Sequence, residues 1–260
     1  LIYVSEVLAS RHDPDRVYAL FNNHKRGDFT PYALKSDDRG RTWSSIAEGI
    51  PARNVTWTLV EDPANEDLLF LGTEFGLFFS VEQGDGWTEL TGGLPTIPVR
   101  DLEIQEREGD LVVATFGRGF YVLDDYTALR GVTAERLTEA AIVFPVRPAL
   151  KYDPVRYVLS GSGDANYTVE NPPHGATVTY YLREPVGGDA ELFLAVHDTN
   201  GELVIEVPAT NEVGIQRVTW NLRYQAEEAE TGQGGGGRGG RARSGPPVRV
   251  GTYTVTLQQG

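Results

Sequence analysis

The sequence predicts an all-β chain: the closing blades of a β-propeller, then a β-sandwich. Residues 1–126 repeat, with Ser36, Gly40, Trp43 and Pro51 returning 44 residues later as Ser80, Gly84, Trp87 and Pro95. The segment from Asp67 to Phe79 returns 43 residues on as Asp110 to Val122. A period of about 40–45 residues made of short apolar strands is the size of one propeller blade. Residues 153–260 alternate apolar and polar side chains in short runs, the pattern of half-buried strands. No long stretch keeps the 3.6-residue apolar period of a helix.

The elements follow in order. The middle repeat reads as four strands, Val55–Val60, Leu68–Thr73, Leu77–Val81 and Trp87–Leu90, with turn chemistry at Asp62, Pro63 and Asn65. The first repeat, Tyr3 to Ile46, reads the same way with a longer second loop, and the third, Val99 to Asp125, lacks an outer strand. Propellers typically have at least four blades, so three do not close a ring. With no Met at position 1 and an opening in mid-strand, the chain reads as a piece of a longer protein, its other blades ahead of Leu1.

Residues 127–152 read as a connector, with one or two helical turns over Thr133 to Ala140 and Thr133 as their N-cap. In residues 153–260, the alternating runs are Val178, Tyr180 and Leu182; Leu192, Leu194 and Val196; Val218, Trp220 and Leu222; and Tyr253, Val255 and Leu257. Asp198 to Gly201 reads as a hairpin turn, and Trp220 as a core anchor. A Gly/Arg-rich segment at 232–247 interrupts this part and reads as a solvated loop between two strands.

Composition bounds function. The 260 residues carry a formal charge of −14, which argues against general affinity for nucleic acid or anionic membrane. There is no Cys, so disulfides, thiol nucleophiles and Cys-ligated metals are out. No apolar run reaches the ~20 residues of a membrane helix. The four His stand at no metal-ligand spacing, so neither a metal nor a cofactor is expected.

Ser36-Asp37-Asp38-Arg39-Gly40-Arg41-Thr42-Trp43 matches S-x-D-x-G-x-T-W, and Ser80 to Trp87 is a degraded copy. The pattern suits a tight hairpin in which the Asp carboxylate accepts backbone N–H bonds, Gly takes φ > 0 and Trp packs beneath. Ser36, Asp38, Gly40, Thr42 and Trp43 are therefore read as structural. With Gly72 to Gly76 and Thr115 to Asp125, this stretch resembles the sortilin-like Asp-box (BNR) repeats of large bacterial proteins labelled glycosyl hydrolases. The resemblance implies an extracytoplasmic propeller with an appended immunoglobulin- or fibronectin-like module. That family usually has His where this chain has Phe116.

Strand order then divides the loops between two faces. One is rich in acid, from Asp13 and Asp15 to Glu106 and Asp110. The other is mixed and carries His24, Arg53, Glu74, Arg100, Asp101 and Arg118. Glycoside hydrolysis needs two carboxyl groups, one protonated. Glu74 and Asp101, from neighbouring repeats, are the candidate pair; the competing reading is an ion pair from Glu74 to Arg100 or Arg118 that ties blades together. Arg53, Arg100 and Arg118, with His24, are the candidate ligand-binding set, on the model of a sialidase's carboxylate clamp. Two function classes follow: a binding or scaffold module for glycan or peptide, and a xyloglucanase- or sialidase-like hydrolase completed by blades that precede this chain.

Overall fold

The structure, a computed structural model, describes residues 2–152, 172–187, 191–226 and 245–260. Most of the Gly/Arg-rich segment, with Arg238, Arg241 and Arg243, and the sequon-like Asn166-Tyr-Thr168 lie outside the described residues. The fold is all-β, built from small antiparallel sheets in two compact units, Leu1–Thr133 and Ala134–Gly260.

In the first unit, β1 (Tyr3–Ala9), β2 (Val17–Asn23), β3 (Asp28–Ser36) and β4 (Ser44–Ser45) form one sheet in chain order. A second has β5 (Thr56–Glu61), β6 (Leu69–Thr73), β7 (Gly76–Ser80) and β8 (Thr88–Glu89). A third has three strands, β9 (Val99–Gln105), β10 (Asp110–Thr115) and β11 (Phe120–Leu123). Consecutive pairing without crossover is what one meander per repeat gives. The missing fourth strand of the third repeat is as the sequence reads.

The sheets pack face to face in succession. Leu59, Leu69, Leu71 and Phe78 of the second sheet share a core with Tyr18, Leu20 and Ala33 of the first. Directly opposed residues share a face, so Thr58 and Gly72 point the other way, toward the third sheet. There a Cβ on Gly72 would sit 2.7 Å from both Thr58 Cγ2 and Val99 Cγ1. The close approach of the sheets thus requires the glycine.

Each inner strand bulges at the same place. The register shifts between Val4 and Glu6, between Thr56 and Thr58, and between Val99 and Asp101. The bulged residues are Ser5, Trp57 and Arg100, and the shift re-aims the side chains that follow.

Two buried acids anchor the loops at one end of these sheets. Glu61 accepts from Ser10 Oγ, the Arg11 N–H and Tyr18 Oη. Asp62 accepts from Tyr126 Oη at 2.6 Å and pairs with Arg130 at 2.9 Å. Burial by itself raises the Asp62 pKa, but the bonds from Arg130, Tyr126 and the Ala64 N–H hold it below its ordinary value. A 3-10 turn, Tyr126–Gly131, carries both partners.

The helical turn expected with Thr133 as N-cap is a 3-10 turn at Arg136–Thr138, and Glu135 precedes it without a side-chain cap. Thr133 is thus not the cap, because the turn starts two residues later. In the second unit, β12 (Ala141–Val143), β13 (Ala176–Leu182) and β16 (Gly214–Trp220) form one sheet. The other contains β15 (Leu203–Pro208), β14 (Leu192–His197) and β17 (Thr254–Gln259). The segment read as a connector is shared out: the Tyr126–Gly131 turn lies in the first unit and β12 pairs with β13 in the second. Val196 and Val204 of one sheet cluster with Trp220 of the other, so the two sheets face each other. Trp220 is buried, and its Nε1 donates to Arg223 O at 2.9 Å. At the β14–β15 turn, Asp198 accepts from the Asn200 and Glu202 N–H groups and Gly201 has φ 81°.

Candidate functional site

The bulges at Trp57 and Arg100 and the β2–β3, β6–β7 and β10–β11 loops build one continuous aromatic and charged surface on the first unit. His24 opens it, in the 3-10 turn His24–Arg26, with Nδ1 2.7 Å from Asn22 Oδ1. Its ring meets the Trp57 ring edge-on, centroids 5.4 Å apart. The Arg100 guanidinium lies 3.6 Å from the Trp57 ring centroid and 5.3 Å from that of Phe116. Cation–π stacking of a guanidinium on indole holds Arg100 flat and leaves its edge for hydrogen bonding.

Glu74 joins this stack. Its Oε2 accepts from Trp57 Nε1 at 2.9 Å and lies 3.6 Å from Arg100 Nη2. Glu74 and Arg100 come from neighbouring sheets, so the ion pair ties those sheets together while half-exposed. Next to it Phe75 stands exposed, its N–H donating to the buried Asn54 Oδ1 at 3.0 Å. That burial leaves the sequon-like Asn54 inaccessible. Phe116 is 69% exposed.

The other expected residues are placed as follows. Asp101 is exposed, and its Oδ1 accepts from the Leu102 N–H at 3.0 Å; among the described residues no contact joins it to Glu74. Arg53 lies over the Phe29 ring at 5.3 Å and lines an open hollow of about 460 Å³ with Gly27, Asp28, Phe29, Thr30, Pro31 and Ala52. Asp28 is held down to a pKa of about 2 by the Thr30 N–H, with Tyr32 Oη and Asn23 Nδ2 adding to it. Arg118 is exposed in the β10–β11 turn and, among the described residues, touches none of the stack. Among the described residues, no three His, Asp or Glu gather where they could hold a metal ion.

The turn over Ser36–Trp43 is occupied by its own bonds. Asp38 accepts from the Arg41 and Thr42 N–H groups at 2.9 and 2.8 Å and from Thr42 Oγ1 at 2.7 Å. Ser36 Oγ donates to Asp38 and accepts from the Gly40 N–H. Gly40 has φ 80°, and Trp43 Nε1 donates to its carbonyl. Led by the Thr42 N–H, these bonds hold the Asp38 pKa at about 2.

Two features escaped the sequence reading. In the sequence Trp57 is an ordinary strand residue, and the bulge that turns it onto the surface leaves no local signature. Glu6 follows the first bulge and points between the first two sheets, its Oε2 accepting from the Leu59 N–H at 2.5 Å. Burial raises its pKa; the Leu59 N–H opposes that, and the Asp101 charge adds to it.

Comparison with known proteins is sparse. No family model matches the sequence, and no curated protein matches it. Among solved structures, an ancestral GH74 enzyme is similar at 19% identity and a TM-score of 0.37, covering 45% of this chain and 14% of its own. The GH74 xyloglucanase from Xanthomonas campestris is similar at 16% identity and a TM-score of 0.36, covering 46% and 21%. The chain thus spans a small part of either enzyme's length.

Proposed function

We propose that this chain is the ligand-binding end of an extracytoplasmic propeller and that the stack His24–Trp57–Arg100–Phe116 is its glycan-binding surface. The observation that carries this is the exposed Phe116 ring beside a guanidinium, Arg100, that stacks on Trp57 and pairs with the Glu74 carboxylate. Sugar rings offer apolar C–H faces to aromatic side chains and hydroxyls to charged groups, and pre-set side chains lose little entropy on binding. The Ser36–Trp43 turn is, on this reading, an Asp-box, and the second unit an immunoglobulin-like module. The resemblance to Asp-box repeat proteins supports the location, which cell fractionation tests.

The test is titration of the 260-residue chain with a panel of neutral and acidic oligosaccharides and of short peptides, followed by tryptophan fluorescence. A saccharide is expected to bind, and Phe116→Ala, a change at an exposed ring, to weaken it about three- to tenfold, as loss of one aromatic contact does. Binding of peptides but no saccharide, or equal affinity in Phe116→Ala, overturns the reading.

A glycoside hydrolase is the second reading, favoured by Glu6. A half-buried carboxyl with a raised pKa is the form a general acid takes. The pair Glu74 and Asp101 is less suited to the role, since Glu74 Oε2 is engaged by Trp57 and Arg100. Hydrolysis abolished by Glu6→Gln with binding intact would support this reading; hydrolysis unaffected by that change would exclude Glu6 as the acid.

A further inference from the structure

The outer edge of the third sheet is bare where those of the first two are covered. In the first sheet β3 is followed by the two-residue strand β4, and in the second β7 is followed by the two-residue strand β8; both end strands are polar. A short polar edge resists pairing with another chain. The third sheet stops at β11, where Phe120 is 75% and Val122 52% exposed.

The register shows what this edge offers. The Thr115 N–H donates to Gly119 O, one step beyond the pairing of Ala114 with Phe120. Bonded and non-bonded pairs alternate along an antiparallel ladder. Tyr121 and Leu123 therefore turn their N–H and C=O groups to Val113 and Leu111, and Phe120 and Val122 turn theirs outward. The Phe120 and Val122 side chains lie on one sheet face, opposite Ala114 and Val112. Two charged, exposed residues flank the strand, Arg118 before it and Asp124 after it.

This edge is complementary to itself. A second copy laid alongside, antiparallel about a two-fold axis through Tyr121 and perpendicular to the sheet, sets Phe120 of each chain opposite Val122 of the other. Those are the residues with outward groups, so each opposed pair exchanges both of its N–H···O bonds and joins an aromatic to a β-branched side chain. The same axis brings Arg118 of each copy against Asp124 of the other. An axis through Phe120 or Val122 would instead set like side chain on like and part the two charges. We propose that this chain forms a symmetric dimer through β11, which joins the third sheets of two copies edge to edge. The formal charge of −14 on each copy opposes association, so a partner must be matched locally, and the crossed Arg118 and Asp124 supply that match.

The test is sedimentation of the 260-residue chain from about 5 to about 200 μM, the range suited to a small, transient interface. A reversible monomer–dimer equilibrium is expected, with amide exchange at Phe120 and Val122 slowing as dimer forms. Val122→Pro removes an outward N–H, which an edge strand tolerates without loss of fold, and should weaken the dimer about tenfold. Phe120→Ser, at an exposed ring, should weaken it about threefold or more. Arg118→Glu should weaken it about fivefold at about 50 mM salt and less at about 0.5 M, since like charges then face each other and salt screens them. The proposal falls if the chain stays monomeric throughout, or if neither Val122→Pro nor Phe120→Ser weakens the dimer. It falls equally if the Phe120 and Val122 amides exchange alike in monomer and dimer, which would put the interface elsewhere on the chain. None of these readouts uses a glycan, so the binding surface is judged separately.

Discussion

At the scale of single residues, ionisation separates two kinds of acid. Asp28 and Asp38 sit near a pKa of 2, below the ordinary 3.8, because each accepts backbone and hydroxyl hydrogen bonds in a turn. A lowered folded-state value stabilises the fold above the unfolded pKa, and that stability is lost as pH falls from about 4 toward 2. Asp38→Asn should therefore lower Tm at pH 7 and leave it unchanged near pH 2, read by thermal melts at both. Glu6 has the opposite sign. Its pKa lies above 4.5, so its favourable contribution is complete below that and fades as pH rises through the folded value. Glu6→Gln keeps an acceptor for the Leu59 N–H and removes the half-buried charge, so its Tm relative to the parent should be higher at pH 7 than at pH 4.

At the scale of elements, packing between sheets decides stability. Gly72→Ala drives a methyl group into Thr58 and Val99, with Val99 O only 3.0 Å away. Backbone cannot yield as a side-chain tip does, so we expect a loss of about 1–3 kcal/mol by denaturant unfolding. In the second unit, Trp220→Ala removes the ring around which Val196, Val204 and Val248 cluster, and should cost about 3–5 kcal/mol by the same measurement. The strands themselves were legible because apolar runs and turn residues recur at fixed spacing; β5, read from Val55, starts at Thr56. The bulges were not legible. A bulge inserts one residue without a composition of its own, and it alone brings Trp57 and Arg100 together across two sheets.

At the scale of the whole molecule, charge and surface point to different partners. The formal charge of −14 opposes polyanion binding, and we expect no retention on immobilised DNA at about 50 mM salt, where phosphate contacts act most strongly. Yet the acid is not evenly spent. Arg16 bridges Asp37 at 2.8 Å and Glu66 at 2.9 Å, and Arg11 pairs with Glu106, so part of the negative charge serves to join neighbouring loops. On the proposed reading, the stack of rings around Arg100 would offer a ligand both apolar area and hydrogen bonds.

Periodicity alone determined that this chain is all-β, that its first half is built from three similar sheets, and that the Ser36–Trp43 segment is a turn, since strand alternation and turn chemistry are local properties. Candidate site residues could be assigned to a face because strand order assigns loops to faces. What only the tertiary structure decided is which of them touch. Glu74 meets Arg100 and Trp57, no contact among the described residues joins it to Asp101, and Glu6 lies half-buried between sheets, because contacts between sheets depend on register shifts of one residue, and a single-residue shift changes the direction of every side chain after it.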